Sequence, residues 1–116
     1  MDDARLWGSE KSLWTTDHKG YQAVISDEAL MVLPGHPGVL SGQAAVEAVS
    51  ATPRWTEVTF TAQHASRPQE GLIVIAYAVE ATKDHECYSA RCTTTYLRLS
   101  HEEWRVIQHQ QSILDA

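Results

Sequence analysis

Apolar positions divide the chain into a helical front and a stranded back. Near the start, Leu6, Glu10, Leu13, Trp14 and Asp17 recur at intervals of three and four, the spacing of one helix face. This predicts a helix over residues 3–17 with an apolar stripe of Leu6, Leu13 and Trp14, and Asp2 and Asp3 suit its positive end. Gly20 ends that helix, and residues 21–27 read as a short second one. Residues 29–33 form a short buried strand, stopped by the loop-forming run Pro34, Gly35, His36, Pro37 and Gly38. Ser41 can cap a third helix over 43–51, with Val46 and Val49 facing inward, and Pro53 forbids its continuation.

Beyond Arg54 the period falls to two. Residues 55–64 alternate, with Val58, Phe60 and Ala62 opposing Glu57, Thr59 and Thr61. Residues 72–81 are almost unbrokenly apolar, 88–99 are rich in Thr, Tyr and Cys, and 104–112 close the chain. The polar links at 83–86 and 100–103 are short, so successive strands pair as antiparallel hairpins. The expectation is an α+β fold, three N-terminal helices on one antiparallel sheet, in a single domain spanning 1–116.

The run from Leu72 to Val79 is apolar on both faces, whereas an antiparallel strand with one wet face alternates. Three helices cover one face only. A second copy of the same sheet is the simplest cover for the other, which predicts a homodimer.

Composition narrows the partners. At 43% hydrophobic and 21% charged residues the chain has the make-up of an ordinary globular domain. Its net charge is −6 and no two of its Lys and Arg residues are adjacent, so it lacks the basic stripe that nucleic acid or an anionic membrane requires. No apolar run approaches the roughly 20 residues that span a bilayer, and the opening residues show no signal pattern, so a soluble cytoplasmic protein is expected. Cys87 and Cys92 lie five apart on one strand, about 16 Å and opposite faces away from each other, and are expected to be buried free thiols.

Several stretches resemble the nuclear transport factor two-like, or SnoaL-like, superfamily. They are Glu10-Lys11-Ser12-Leu13-Trp14 followed by Tyr21, the run from Ser26 to Gly35, Ser41-Gly42-Gln43-Ala44-Ala45, and Trp104-Arg105-Val106-Ile107-Gln108-His109. The resemblance covers nearly the whole chain and implies a cone: a curved sheet wrapped around the three helices, enclosing a pocket. Within this superfamily, ketosteroid isomerase is most similar around residues 26–34. Its proton-abstracting aspartate then falls at Leu33 and its oxyanion-stabilising tyrosine near Ser9, so chemistry of that type is not expected.

Pairing the hairpins across four-residue turns predicts the two faces of the sheet. One carries Ile73, Ile75, Tyr77, Tyr88, Cys92, Thr94, Tyr96, Ile107, His109 and Gln111. The other carries Leu72, Val74, Ala76, Ala78, Thr93, Thr95, Leu97, Val106, Gln108 and Gln110. The first mixes aromatic and polar groups, as ligand pockets do, and is assigned to the cavity, closed from the helical side by Trp14, Tyr21, Met31 and Leu33. The second, flatter face is assigned to the dimer, through Leu72, Val74, Thr93, Thr95, Leu97, Gln108 and Gln110. The expected ligand-binding set is therefore Trp14, Tyr21, Met31, Leu33, Tyr77, Tyr88, Cys92, Thr94, Tyr96 and His109.

Each candidate has two readings. His109 is the candidate catalytic residue, because imidazole titrates near neutrality, or it is a buried histidine satisfied by Thr94. Tyr77, Tyr88 and Tyr96 orient a ligand through their hydroxyls or simply fill the core. His64 reads as a solvated residue at a strand end, and the neighbours Arg98 and Arg105 as a grip for a carboxylate or, preferred, as partners of Glu102 and Glu103. No metal motif, phosphate-cradling loop or nucleophile elbow occurs, so neither a metal nor a cofactor is expected. Carboxylates for acid–base work are not expected inside the sheet, where Glu57 and Glu80 are the only strand acids identified. Three functions follow: a homodimer whose aromatic-lined cavity binds a small apolar molecule, an isomerase or dehydratase using His109 and a pocket tyrosine, or a purely structural dimerisation module.

Overall fold

Asp2 begins the first helix, its Oδ1 accepting the Arg5 N–H at 2.8 Å to satisfy one donor the helix start leaves open. In this computed structural model, which describes residues 1–35 and 38–114, helix α1 runs over Asp3–Thr15. Helix α2 is His18–Val24 and starts earlier than residue 21, because Asp17 caps it by accepting from the Gly20 N–H at 2.9 Å. Gly20 thus lies inside the helix that it was expected to precede.

Strand β1 (Ile25–Val32) follows directly, and β2 (Val39–Ser41), unforeseen from the sequence, pairs antiparallel with its end. Between them lies the expected loop, of which His36 and Pro37 are outside the described residues. Ser41 caps α3 (Gly42–Ser50), accepting from the Ala44 N–H at 3.1 Å. The remaining chain is β3 (Glu57–Gln69), β4 (Leu72–Lys83), β5 (Glu86–Ser100) and β6 (Glu103–Ile113). β3 runs well past His64, which is exposed within the strand and not at its end. Its alternation is interrupted at a bulge beside Ala62 (φ 51°), and Pro68 is tolerated because β3 is an outer edge.

The six strands form one curved sheet in the order β2-β1-β6-β5-β4-β3. Neighbouring strands are antiparallel except β1 and β6, which run parallel and set Met31 beside His109. The sheet is therefore mixed, because the chain reaches β6 only after crossing the whole sheet. The β4–β5 register is the expected one, with Tyr88 opposite Ala81, Cys92 opposite Tyr77 and Thr94 opposite Ile75. Across β5–β6, Thr94 faces His109 and Cys92 faces Gln111, again as expected. Further along, a bulge pairs Tyr96 with Val106 instead of Ile107. Val106 consequently leaves the face predicted for the dimer and is fully buried, while Ile107 is half-buried.

Leu6, Leu13, Trp14, Tyr21 and Ala45 from the helices meet Ile73, Ile75, Tyr77, Val79, Tyr96 and Val106 from the sheet to form the core. The even positions of β4, Leu72, Val74, Ala76 and Ala78, are only half-buried on the opposite face. Cys92 is buried but Cys87, near the start of β5, is exposed, which corrects the expectation for that thiol. Arg105 does pair with Glu103 (3.2 Å), whereas Arg98 turns to Glu70 (3.2 Å) in the neighbouring link between β3 and β4. Among the described residues no helix is long and apolar enough to cross a membrane.

Candidate functional site: a cavity above a buried carboxylate

The hollow of the sheet holds a cavity of about 300 Å³ open to solvent. Helix α1 contributes Leu13 and Trp14, α2 contributes Tyr21, β1 Met31 and α3 Ala45 and Val49. Tyr88 of β5 and His109 and Gln111 of β6 form its polar end, and Leu33, Arg54 and Trp55 come from connecting segments. The Tyr21 hydroxyl lies 3.2 Å from Met31 Sδ, and Trp55 stacks on Tyr88 at 5.7 Å. These contacts hold the aromatic walls in place without a ligand.

Six of the sequence-predicted residues line this space: Trp14, Tyr21, Met31, Leu33, Tyr88 and His109. Tyr77, Cys92, Thr94 and Tyr96 do not. They are buried one layer away, and three of them surround a group that the sequence reading did not place at the site, the carboxylate of Glu10.

Glu10 is completely buried on the inner face of α1. Its Oε2 accepts from Thr94 Oγ1 at 2.6 Å and from the Tyr77 hydroxyl, and its Oε1 accepts from the Tyr96 hydroxyl at 2.8 Å. Trp14 Nε1 donates to the Tyr77 oxygen at 3.1 Å. On the cavity side, Thr94 Oγ1 lies 2.7 Å from His109 Nδ1, which is itself 3.7 Å from Glu10 Oε2. Tyr88 donates to Gln111 Oε1 at 2.8 Å, turning the Gln111 amide nitrogen to His109 Nε2 at 3.1 Å. A continuous hydrogen-bonded path therefore runs from the cavity mouth to the carboxylate: Tyr88, Gln111, His109, Thr94, Glu10. Among the described residues no buried side-chain polar atom lacks a partner, which is the condition for such a network to be tolerated.

Burial sets the charge state. Desolvation pushes the Glu10 carboxyl above its ordinary 4.5, against the opposing pull of the hydroxyls of Thr94, Tyr77 and Tyr96. The same burial lowers His109 to about 4, so its imidazole is neutral at pH 7. Desolvation also raises Tyr77 and Tyr96, with the nearby Glu10 charge adding to it, and lifts Tyr21, Tyr88 and Cys92 to about 12. All five stay protonated near neutrality and serve as donors, not as anions. Among the described residues no group of His, Cys, Asp and Glu is arranged to hold a metal.

One signal for Glu10 was present in the sequence: it falls in register with Leu6, Leu13 and Trp14 on the buried stripe. An acid at such a position must find donors across the core. The donors are 67 to 86 residues away along the chain, and no local pattern reveals them.

Solved structures share this architecture over nine-tenths or more of their length. An NTF2-like protein of unknown function in nutrient uptake from Rhodospirillum rubrum is 19% identical, with a TM-score of 0.80 over 99% of this chain and 100% of that one. An NTF2-like protein from Cytophaga hutchinsonii is 15% identical, with a TM-score of 0.79 over 98% and 100%. The association domain of C. elegans CaMKII is 11% identical, with a TM-score of 0.76 over 94% and 90%. At such identities the likeness is one of fold. No curated protein matches the chain by sequence. The family model described as a SnoaL-like domain matches residues 11–116, starting immediately after Glu10. With helices, curved sheet and cavity all in the arrangement described above, the chain belongs to the SnoaL-like domain family.

Proposed function

We propose that the protein is a homodimeric binding domain whose cavity takes a small, largely apolar molecule. The observation that carries this reading is the cavity of about 300 Å³, walled by Trp14, Tyr21, Met31, Leu33 and Tyr88 and closed at one end by the polar pair His109 and Gln111. Ligand sites have this make-up, with apolar walls for affinity and a few placed polar groups for orientation. The dimer reading rests on the outer sheet face, where Leu72, Val74 and Leu97 are half-buried. Gln108 sits between Thr95 (3.0 Å) and Thr93 (3.3 Å), so these three side chains already have partners and a twin can cover them at little cost.

The buried network supports a second reading, an acid–base enzyme in which His109 takes or gives a proton at the cavity and Tyr88 or Gln111 orients the substrate. Glu10, acting through Thr94, would hold the imidazole in place. One experiment separates the two. A panel of aromatic and alicyclic metabolites is screened by thermal shift, since a ligand of the folded form raises its melting temperature. Hits are then incubated with the protein and recovered. Recovery unchanged supports the binding module; conversion that His109→Asn abolishes supports the enzyme. A panel without a single stabilising compound argues for a purely structural domain.

A further inference from the structure

Arg54 sits in the wall of the cavity, half-buried, with its guanidinium 5.5 Å above the Tyr21 ring. One edge of the guanidinium is committed: Nε donates to the Thr16 carbonyl at 2.8 Å and Nη2 to the Leu13 carbonyl. Both carbonyls belong to the C-terminal end of α1, so this edge clamps the helix end. The clamp leaves both Nη1 hydrogens and the second Nη2 hydrogen uncommitted by those bonds. Two of them form a parallel fork spaced for the two oxygens of a carboxylate.

Charge makes the position unusual. The described cavity wall contains no Asp or Glu, and Arg54 enters no salt bridge among the described residues. A helix C-terminus supplies only about half an elementary charge, so the clamp does not neutralise a full cation. Buried charges are ordinarily paired, and the unmet charge here borders space large enough for a ligand. His109 is neutral near pH 7 and so does not compete for an anion.

Resting on the reading of this cavity as a ligand site, we propose that its ligand is a monoanion: an apolar body carrying one carboxylate, which Arg54 grips with the free fork of its guanidinium. The body then lies against Met31, Leu33 and Val49. One negative charge balances Arg54, whereas a phosphate dianion would leave a second charge uncompensated against apolar walls. Tyr21, beneath the guanidinium, keeps its plane fixed and makes the fork preformed.

The test uses a matched pair of probes, phenylbutyrate and phenylbutyramide, titrated calorimetrically into the whole protein at pH 7. The wild type should bind the acid about tenfold tighter than the amide. Arg54→Gln should bring the two within about twofold, chiefly by weakening the acid. If Arg54→Gln fails to fold because the helix clamp is lost, Arg54→Lys takes its place: it keeps the charge without the planar fork, and a reduced preference for the acid is expected. Equal binding of acid and amide by the wild type overturns the inference and leaves the cavity reading standing, as does an acid preference that survives unaltered in the variant that folds. Binding of neither probe at millimolar concentration removes the cavity reading and the inference with it.

Discussion

Burial shifts Glu10 and His109 in opposite directions, which leads to a prediction at the level of single residues. Between pH 4.5 and 6.5 the unfolded chain has Glu10 ionised and His109 protonated. In the folded chain burial raises the carboxyl above 4.5 and lowers the imidazole to about 4. The raised carboxyl makes stability fall with rising pH and the lowered imidazole makes it rise, so the two contributions oppose each other in that window. Removing one partner exposes the other. In Glu10→Gln only His109 remains; its contribution is complete above pH 6.5 and is lost as pH falls from 6.5 towards 4. In His109→Asn only Glu10 remains; its contribution is complete below pH 4.5 and is lost as pH rises above it. Denaturant unfolding at several pH values should therefore give the two variants slopes of opposite sign relative to the wild type. Slopes of the same sign would show that burial does not shift the two groups in opposite directions.

Among the elements, two glycines in helices make a contrast that depends on packing alone. Gly42 opens α3, where an added Cβ would stand 1.9 Å from the Ser26 backbone oxygen of β1. That contact lets the helix lie directly on the strand that delivers Met31 to the cavity. Gly42→Ala should cost roughly 1–3 kcal/mol or more, because backbone has to move. Gly8 is exposed in the middle of α1 and would meet nothing within 4 Å. Gly8→Ala should instead stabilise by about 0.5–1 kcal/mol through helix propensity and the stiffer unfolded chain. Urea midpoints of the two variants, measured side by side, check the pair; a shared sign would mean that the α3–β1 contact is not as tight as described. The same element scale explains what the hairpins revealed early. Short polar links define the register of β4 with β5 and most of β5 with β6, so faces could be assigned from spacing alone. The bulge beside Tyr96 escaped because a bulge changes pairing without leaving a residue pattern of its own.

The whole molecule leaves its outer sheet face without a cover, although β4 is apolar on that side as well. A groove of about 370 Å³, bordered by Ala62, Ala76, Ala78, Arg91 and Thr93, crosses this face. If a twin fills it, the protein sediments as a dimer. Val74, which pairs with Thr95 near the middle of the face, is the position at which a charge does most damage. Val74→Lys should yield a monomer with unchanged circular dichroism, since the residue points away from the core. A wild-type monomer, or a variant that still dimerises, would sink the proposed interface and not the fold.

The sequence by itself determined the three helices and every strand but β2, their order, the α+β class and most of the cavity's aromatic wall, because side-chain period and turn composition are local properties. It marked Glu10 as lying on the buried stripe and could not say what met it there. The tertiary structure decided the rest: the Tyr77, Tyr96 and Thr94 hydroxyls closing on Glu10, the parallel approach of β1 to β6, and Arg54 folding back onto the end of α1. Each of these joins segments tens of residues apart, up to 86 for Tyr96 and Glu10, and depends on how a curved sheet brings its strands under a helix. An acid on an apolar stripe looks the same in the chain whether it ends among three hydroxyls or facing water, and only its distant partners settle its chemistry.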